Sequence, residues 1–85
     1  MAFVAYGGNA GGLRAVEQLR QVFAELHAVT VRNAVSFAMA WEHFDEAGRL
    51  RDPARYEKAA GLMLDQLAWW GRLLKEGRSK WPYPA

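Results

Sequence analysis

Cysteine is missing from this chain, which excludes disulfide bonds, thiolate nucleophiles and cysteine-ligated metal centres. Long apolar runs are missing too. No stretch approaches the roughly 20 residues that a bilayer-spanning helix needs, and the first residues lack the basic segment and apolar core of a secretory leader. A soluble, cytoplasmic protein is the expectation. Charge of one sign is equally scarce: 11 basic residues against 9 acidic ones leave a formal +2, and the two signs alternate along the chain. A nucleic-acid binder concentrates its positive charge on a patch or stripe. Only Lys75–Lys80 leans basic, and a solvated helix end accounts for that. Neither a nucleic acid nor a membrane is expected as a partner.

Apolar and aromatic residues are abundant instead. At 52% hydrophobic and 24% charged, the composition is that of a folded segment, and 85 residues suit a single domain spanning 1–85 with a modest core. Four Trp and 13% aromatic residues point to a dense core or a partner surface.

The order of elements follows from periodicity. Ala2-Phe3-Val4-Ala5-Tyr6 is apolar without alternation, the pattern of a strand covered on both faces in a parallel sheet. Leu13, Val16, Leu19, Phe23 and Leu26 then recur at spacings of three and four, which predicts an amphipathic helix ending near His27. Val29, Val31, Val35 and Phe37 alternate with polar residues and predict a second strand, disturbed in the middle by Asn33-Ala34. Residues 38–51 keep no period and read as a long loop with a turn at Asp45-Glu46-Ala47-Gly48. Asp52-Pro53 predicts a capped helix start. A seam of Tyr56, Ala60, Met63, Leu67, Trp70 and Leu74 follows, beside a second stripe of Ala59, Leu62, Trp69 and Leu73. That helix is expected to end near Gly77, before an irregular tail at 81–85.

The fold class is therefore α/β, in the order β-α-β-loop-α, with a helix joining two parallel strands by a right-handed crossover. Two strands make a poor sheet, and the apolar first strand calls for neighbours on both edges. Completion by a homo-oligomer is expected, most simply a dimer joining two first strands, or else by a complementary chain.

Between the first strand and the first helix stands Gly7-Gly8-Asn9-Ala10-Gly11-Gly12. It fails the dinucleotide fingerprint, because the second glycine of that pattern would fall on Asn9 or Ala10. It also fails the P-loop, because Leu13 follows where Lys-Ser/Thr is required. Two readings remain open on local grounds. Either the glycines let backbone amides approach a ligand beside a helix N-terminus, or they make a tight strand-to-helix turn.

The stretch FVAYGGNAGGLRAVEQLRQVFAELHAVTV resembles the second half of the NAD(P)H-dependent FMN reductase family, whose fold is flavodoxin-like. The loop FDEAGRLRDP and the final helix are similar to that family as well. The most specific segments are Tyr6–Ala15 and Phe44–Pro53. The resemblance implies that Tyr6, Gly7, Gly8, Asn9, Gly11 and Gly12 lie against the isoalloxazine ring of FMN and offer it backbone groups. It also implies hydride transfer from NAD(P)H to the flavin, then electron delivery to a flavin or quinone. In that family the phosphate loop follows the first strand, and a Tyr-Asn loop after the third strand supports the ring. Both belong to the half that this chain does not carry, and Ala5 stands where relatives often have Ser. A flavin-related module, inactive or incomplete as a lone chain, is the expectation. The alternative is a non-catalytic dimerisation or partner-binding protein derived from the same fold.

No side chain is expected to act as catalyst, and no metal site is expected. His27 reads as a cation closing the first helix. His43, between Glu42 and Asp45, lacks further ligands. Asp45 and Glu46 read as solvated turn charges rather than an acid–base pair, and Ser36 and Ser79 have no base placed beside them. Trp69-Trp70 and the Tyr56–Leu74 seam read as core or subunit interface.

Overall fold

β1 (Val4–Tyr6), α1 (Leu13–Glu25), β2 (Val35–Phe37) and α2 (Pro53–Lys80) follow one another in the computed structural model, which describes residues 1–85. β1 and β2 pair in parallel, with Val4 opposite Val35, Ala5 opposite Ser36 and Tyr6 opposite Phe37. The α/β order read from periodicity is thus the order of the fold. No helix is long and apolar enough to cross a membrane.

Alternate strand residues point to opposite faces, so Phe3 and Ala5 turn toward α1 and Val4 and Tyr6 turn away. Phe3 is buried, its ring centroid 6.0 Å from that of Phe23 on α1. On the other face α2 packs over β2. Val31, Val35, Tyr56 and Met63 form the core there, with Phe37, Leu50, Ala60 and Leu67 around it, and Phe37 stacks on Tyr56 at 4.3 Å. This arrangement corrects the expectation of a first strand covered on both faces. Val4 and Tyr6 are 67% and 78% exposed, because the seam of α2 follows β2 and leaves the same face of β1 bare.

The second strand is shorter than 29–37, and its interruption has a definite geometry. Val31 N–H donates to Met1 O at 2.9 Å and Val35 N–H to Phe3 O at 3.1 Å. Four residues of this segment therefore advance alongside two of the neighbouring one, and Arg32–Ala34 bulge outward. Buried backbone groups released by a bulge must find other partners. Arg20 on α1 supplies them: its guanidinium donates to Val31 O at 2.7 Å, to Arg32 O at 3.1 Å and to the Thr30 hydroxyl at 3.1 Å. Asn33 N–H donates to Gln66 Oε1 on α2 at 3.0 Å.

α1 ends with His27 in the left-handed region, φ 63°. His27 N–H donates to Ala24 O and Ala28 N–H to Phe23 O, the paired bonds of a Schellman ending. The imidazole does not cap the helix; it reaches the Tyr83 hydroxyl at 2.9 Å. His27 therefore closes α1 through its backbone, which corrects the expectation of a cation set against the dipole.

The connection from β2 to α2 is more ordered than a loop. Ala40–His43 forms a 3-10 turn, and Phe44 and Leu50 make an antiparallel bridge around the turn expected at Asp45–Gly48. Asp45 Oδ1 accepts from Ala47 N–H and Arg49 N–H, each at 2.9 Å. α2 starts as expected, with Asp52 accepting from Arg55 N–H at 3.4 Å. It continues past Gly77 to Lys80, held by a Glu76–Lys80 pair at 2.8 Å and by the Ser79 hydroxyl on Glu76 O. At 28 residues it is about 42 Å long, and it sets the 51 Å long axis of the molecule.

Candidate functional site

The glycine loop is held on three sides. Gly7 N–H donates to Phe37 O at 3.1 Å and extends the parallel ladder by one bond. Gly7 O and Gly8 O accept from Ala40 and Met39 N–H at 3.1 and 2.8 Å, which ties the loop to the chain leaving β2. Gly11 O accepts from the Ser36 hydroxyl at 2.8 Å. Within the loop, Gly11 N–H donates to Gly8 O and Leu13 N–H to Ala10 O.

Two glycines are demanded by this geometry. Gly11 and Gly12 have φ of 59° and 79°. A Cβ on Gly11 would strike the Ser36 hydroxyl and Ala38, and one on Gly12 would stand 2.8 Å from Tyr6 O and 2.9 Å from Ala5 Cβ. Their lack of side chains lets α1 begin directly against β1. A Cβ on Gly7 would also crowd the loop, at 2.8 Å from Gly12 N. Gly8 differs, with open space around the position a Cβ would take.

The six residues singled out in the sequence, Tyr6, Gly7, Gly8, Asn9, Gly11 and Gly12, thus meet in one loop with divided duties. Gly7, Gly11 and Gly12 serve the turn. Gly8 and Asn9 are exposed, and so is Ala10. The amides of Gly8, Asn9 and Ala10 have no hydrogen-bond partner in the chain. They form a row of three donors at the carboxyl end of the parallel pair, ahead of an α1 N-terminus that no side chain caps. Counting glycines overlooked Ala10, whose contribution is an N–H that any residue but proline supplies.

Beside the loop lies an apolar groove of about 430 Å³, lined by Val4, Ala5, Tyr6, Phe37, Ala40, Trp41 and Phe44. Tyr6 and Trp41 are the most exposed of its aromatic side chains, at 78% and 65%. Sequence periodicity could not place Trp41 there, because only the 3-10 turn brings it back over the strands.

The remaining polar candidates are engaged elsewhere. His43 Nε2 donates to Ala38 O at 2.7 Å, and the partly buried Tyr56 hydroxyl lies 2.9 Å from Nδ1. That pair secures the 3-10 turn to α2. Asp45 is consumed by its own turn, Ser36 by Gly11 and Ser79 by Glu76. No three His, Asp or Glu side chains gather where they could hold a metal ion. Trp69 and Trp70 meet edge to face at 5.1 Å on α2. Trp69 is exposed, as are Leu62 and Leu73 of the same stripe, so this stripe is not core.

The model of the NADPH-dependent FMN reductase family matches residues 1–42, just under half of the chain. The match takes in β1, the glycine loop, α1, β2 and most of the 3-10 turn. It supports a relationship to that family of flavin-dependent oxidoreductases, and the parallel β-α-β arrangement is consistent with part of a flavodoxin-like unit. FMN and NADPH are what the family name specifies. Residues 43–85, including Phe44–Pro53, lie outside the match. No curated protein and no solved structure matches the chain.

Proposed function

We propose that this chain is a flavin-binding module of the NADPH-dependent FMN reductase kind, corresponding to the C-terminal half of such an enzyme. It holds the isoalloxazine ring of FMN and leaves the phosphate to other residues. The observation that carries this reading is the row of free amides at Gly8, Asn9 and Ala10. Ligands of open parallel sheets bind outside the carboxyl ends of the strands, and the pyrimidine edge of a flavin offers the oxygen and nitrogen acceptors that such a row requires. No heavy atom lies within 4 Å of where a Gly8 Cβ would stand, and the exposed side chains of Tyr6 and Trp41 line the groove beside the loop. The phosphate fits less well. No basic or hydroxyl-bearing side chain apart from the Tyr6 phenol lies within residues 6–12, and the Ser36 hydroxyl is already committed to Gly11 O.

When bound, FMN supplies the hydride and electron chemistry, and the chain's part is to orient the ring. A module that grips only the ring binds flavin weakly and does not discriminate FMN from riboflavin. Titration of the labelled chain with each flavin, followed through its amide resonances, tests this. The expected result is saturable shifts at Gly8, Asn9 and Ala10 with affinities for the two flavins within a few-fold of each other. FMN binding more than about a hundredfold tighter than riboflavin, a difference of about 2.7 kcal/mol, would mean that the chain does hold the phosphate and would overturn the reading. If neither flavin moved these amides, the second reading would stand: a non-catalytic partner-binding protein. The exposed stripe of Leu62, Trp69 and Leu73 favours that second reading.

A further inference from the structure

β1 has a neighbour on one side only. Val35 N–H donates to Phe3 O and Gly7 N–H donates to Phe37 O. The odd-numbered residues of this segment therefore turn their backbone groups toward β2, and alternation sends the N–H and C=O of Val4 and Tyr6 to the open edge. None of these four groups has a hydrogen-bond partner in the chain. The side chains of the same two residues are largely exposed and line the apolar groove with Phe37, Trp41 and Phe44. Proline, lysine, an inward charge or a bulge would protect such an edge, and β1 (Val-Ala-Tyr) has none of them.

We propose that this edge pairs with the same edge of a second copy of the chain, antiparallel, about a two-fold axis between the two Ala5 residues. Three features select a second copy as the occupant. The first is backbone complementarity. Opposed residues that face the edge exchange both of their hydrogen bonds in an antiparallel ladder. An axis midway between Val4 and Tyr6 sets each Val4 against the other copy's Tyr6 and satisfies all four free groups on both chains. Moving the axis onto Val4 would set Tyr6 against Ala2, outside the strand.

The second feature is apolar surface. Val4, Tyr6, Trp41 and Phe44 are 67%, 78%, 65% and 41% exposed. Pairing sets each Val4 beside the other copy's Tyr6 on the same face of the joined sheet, where cross-strand neighbours shield part of each other's exposed surface, and it runs the two grooves together into one apolar surface. The third is charge. No charged side chain lines the groove, so two chains of formal charge +2 meet there without repulsion. A self-complementary patch needs no second gene product and closes on itself. The result is a four-stranded sheet in the order β2-β1-β1-β2, with each glycine loop level with the N-terminal residues of the other copy. The pairing does not rest on the flavin reading and is tested without flavin.

Sedimentation equilibrium of the unaltered chain across a dilution series is the first measurement, and a dimer in the micromolar range is expected. Val4→Lys, at an exposed side chain, should weaken that dimer at least about tenfold while the helical circular dichroism stays unchanged. Ala5→Cys adds the chain's sole thiol. Residues opposed in the non-hydrogen-bonded position approach to about 4.5 Å between Cα atoms, so mild oxidation should give a disulfide-linked dimer. Ser79→Cys, far out on α2, should not. Should Val4→Lys fail to fold, the cysteine variant decides alone. A folded monomer at every concentration would overturn the proposal, as would a dimer that Ala5→Cys does not link. A dimer linked faster through Val4→Cys than through Ala5→Cys would overturn the register.

Discussion

Arg20 and Val31 are joined across the α1–β2 layer: the Arg20 guanidinium donates to the Val31 carbonyl at 2.7 Å. Val31 is the residue with no exposed surface at all, so its carbonyl depends on this donor. The same guanidinium reaches Arg32 O and Thr30 Oγ1, and its carbon lies 5.3 Å from the centre of the Phe3 ring. One side chain thus seals the bulge and covers an aromatic face of the core.

Replacing Arg20 by Ala should lower stability by about 1–3 kcal/mol, the cost of leaving a buried acceptor unpaired. Arg20→Lys should recover part of that loss, since an ammonium can serve one carbonyl but cannot span two with a planar fork. Urea unfolding monitored by Trp fluorescence measures both. A loss below about 0.5 kcal/mol in the Ala variant, the range of ordinary surface substitutions, would show that the bulge does not need the guanidinium.

The glycine loop makes a contrast between neighbours. Gly11→Ala places a Cβ into Ser36 and Ala38 at a left-handed φ. The expected cost is about 2–4 kcal/mol, combining backbone strain with overpacking. Gly8→Ala has open space and should change stability by no more than about 0.5 kcal/mol. Thermal unfolding of the two variants side by side separates the turn-forming glycines from the one that is free.

His27 occupies the left-handed position that ends α1. Its ring contact with Tyr83 is exposed and contributes little. His27→Gly should therefore raise stability, by about 0.5–1 kcal/mol, through relief of the left-handed conformation. His27→Ala keeps the strain and should give no such gain. Equal effects of the two substitutions would show that the imidazole, rather than the backbone, secures the helix end.

Oxidation of NADPH by the purified chain with added FMN should not exceed the rate of free FMN alone. Hydride transfer requires donor and acceptor held roughly 3–3.5 Å apart in a fixed orientation, and a ring gripped along one edge is not held that firmly. Absorbance at the NADPH band reports the rate. Turnover that saturates with flavin and scales with the chain's concentration would show a complete site.

The sequence by itself determined the order of the elements, because periodicity is a local property. Three-and-four spacing from Leu13, alternation around Val35 and the Asp52-Pro53 start each depend only on near neighbours. The glycine loop was legible for the same reason, since an unusual run of small residues marks a turn whatever surrounds it. Only the tertiary structure decided which faces those elements cover. Val4 and Tyr6 look as buried as Phe3 in the sequence, but α2 follows β2 and leaves them bare. Nor could spacing say that Arg20 would meet the carbonyls of a bulge 11 residues further on, that Trp41 would close a groove, or that Gly8 and Gly11 would differ. Each of these depends on what lies opposite in space, and packing between elements distant in the chain leaves no period in the residues that make it.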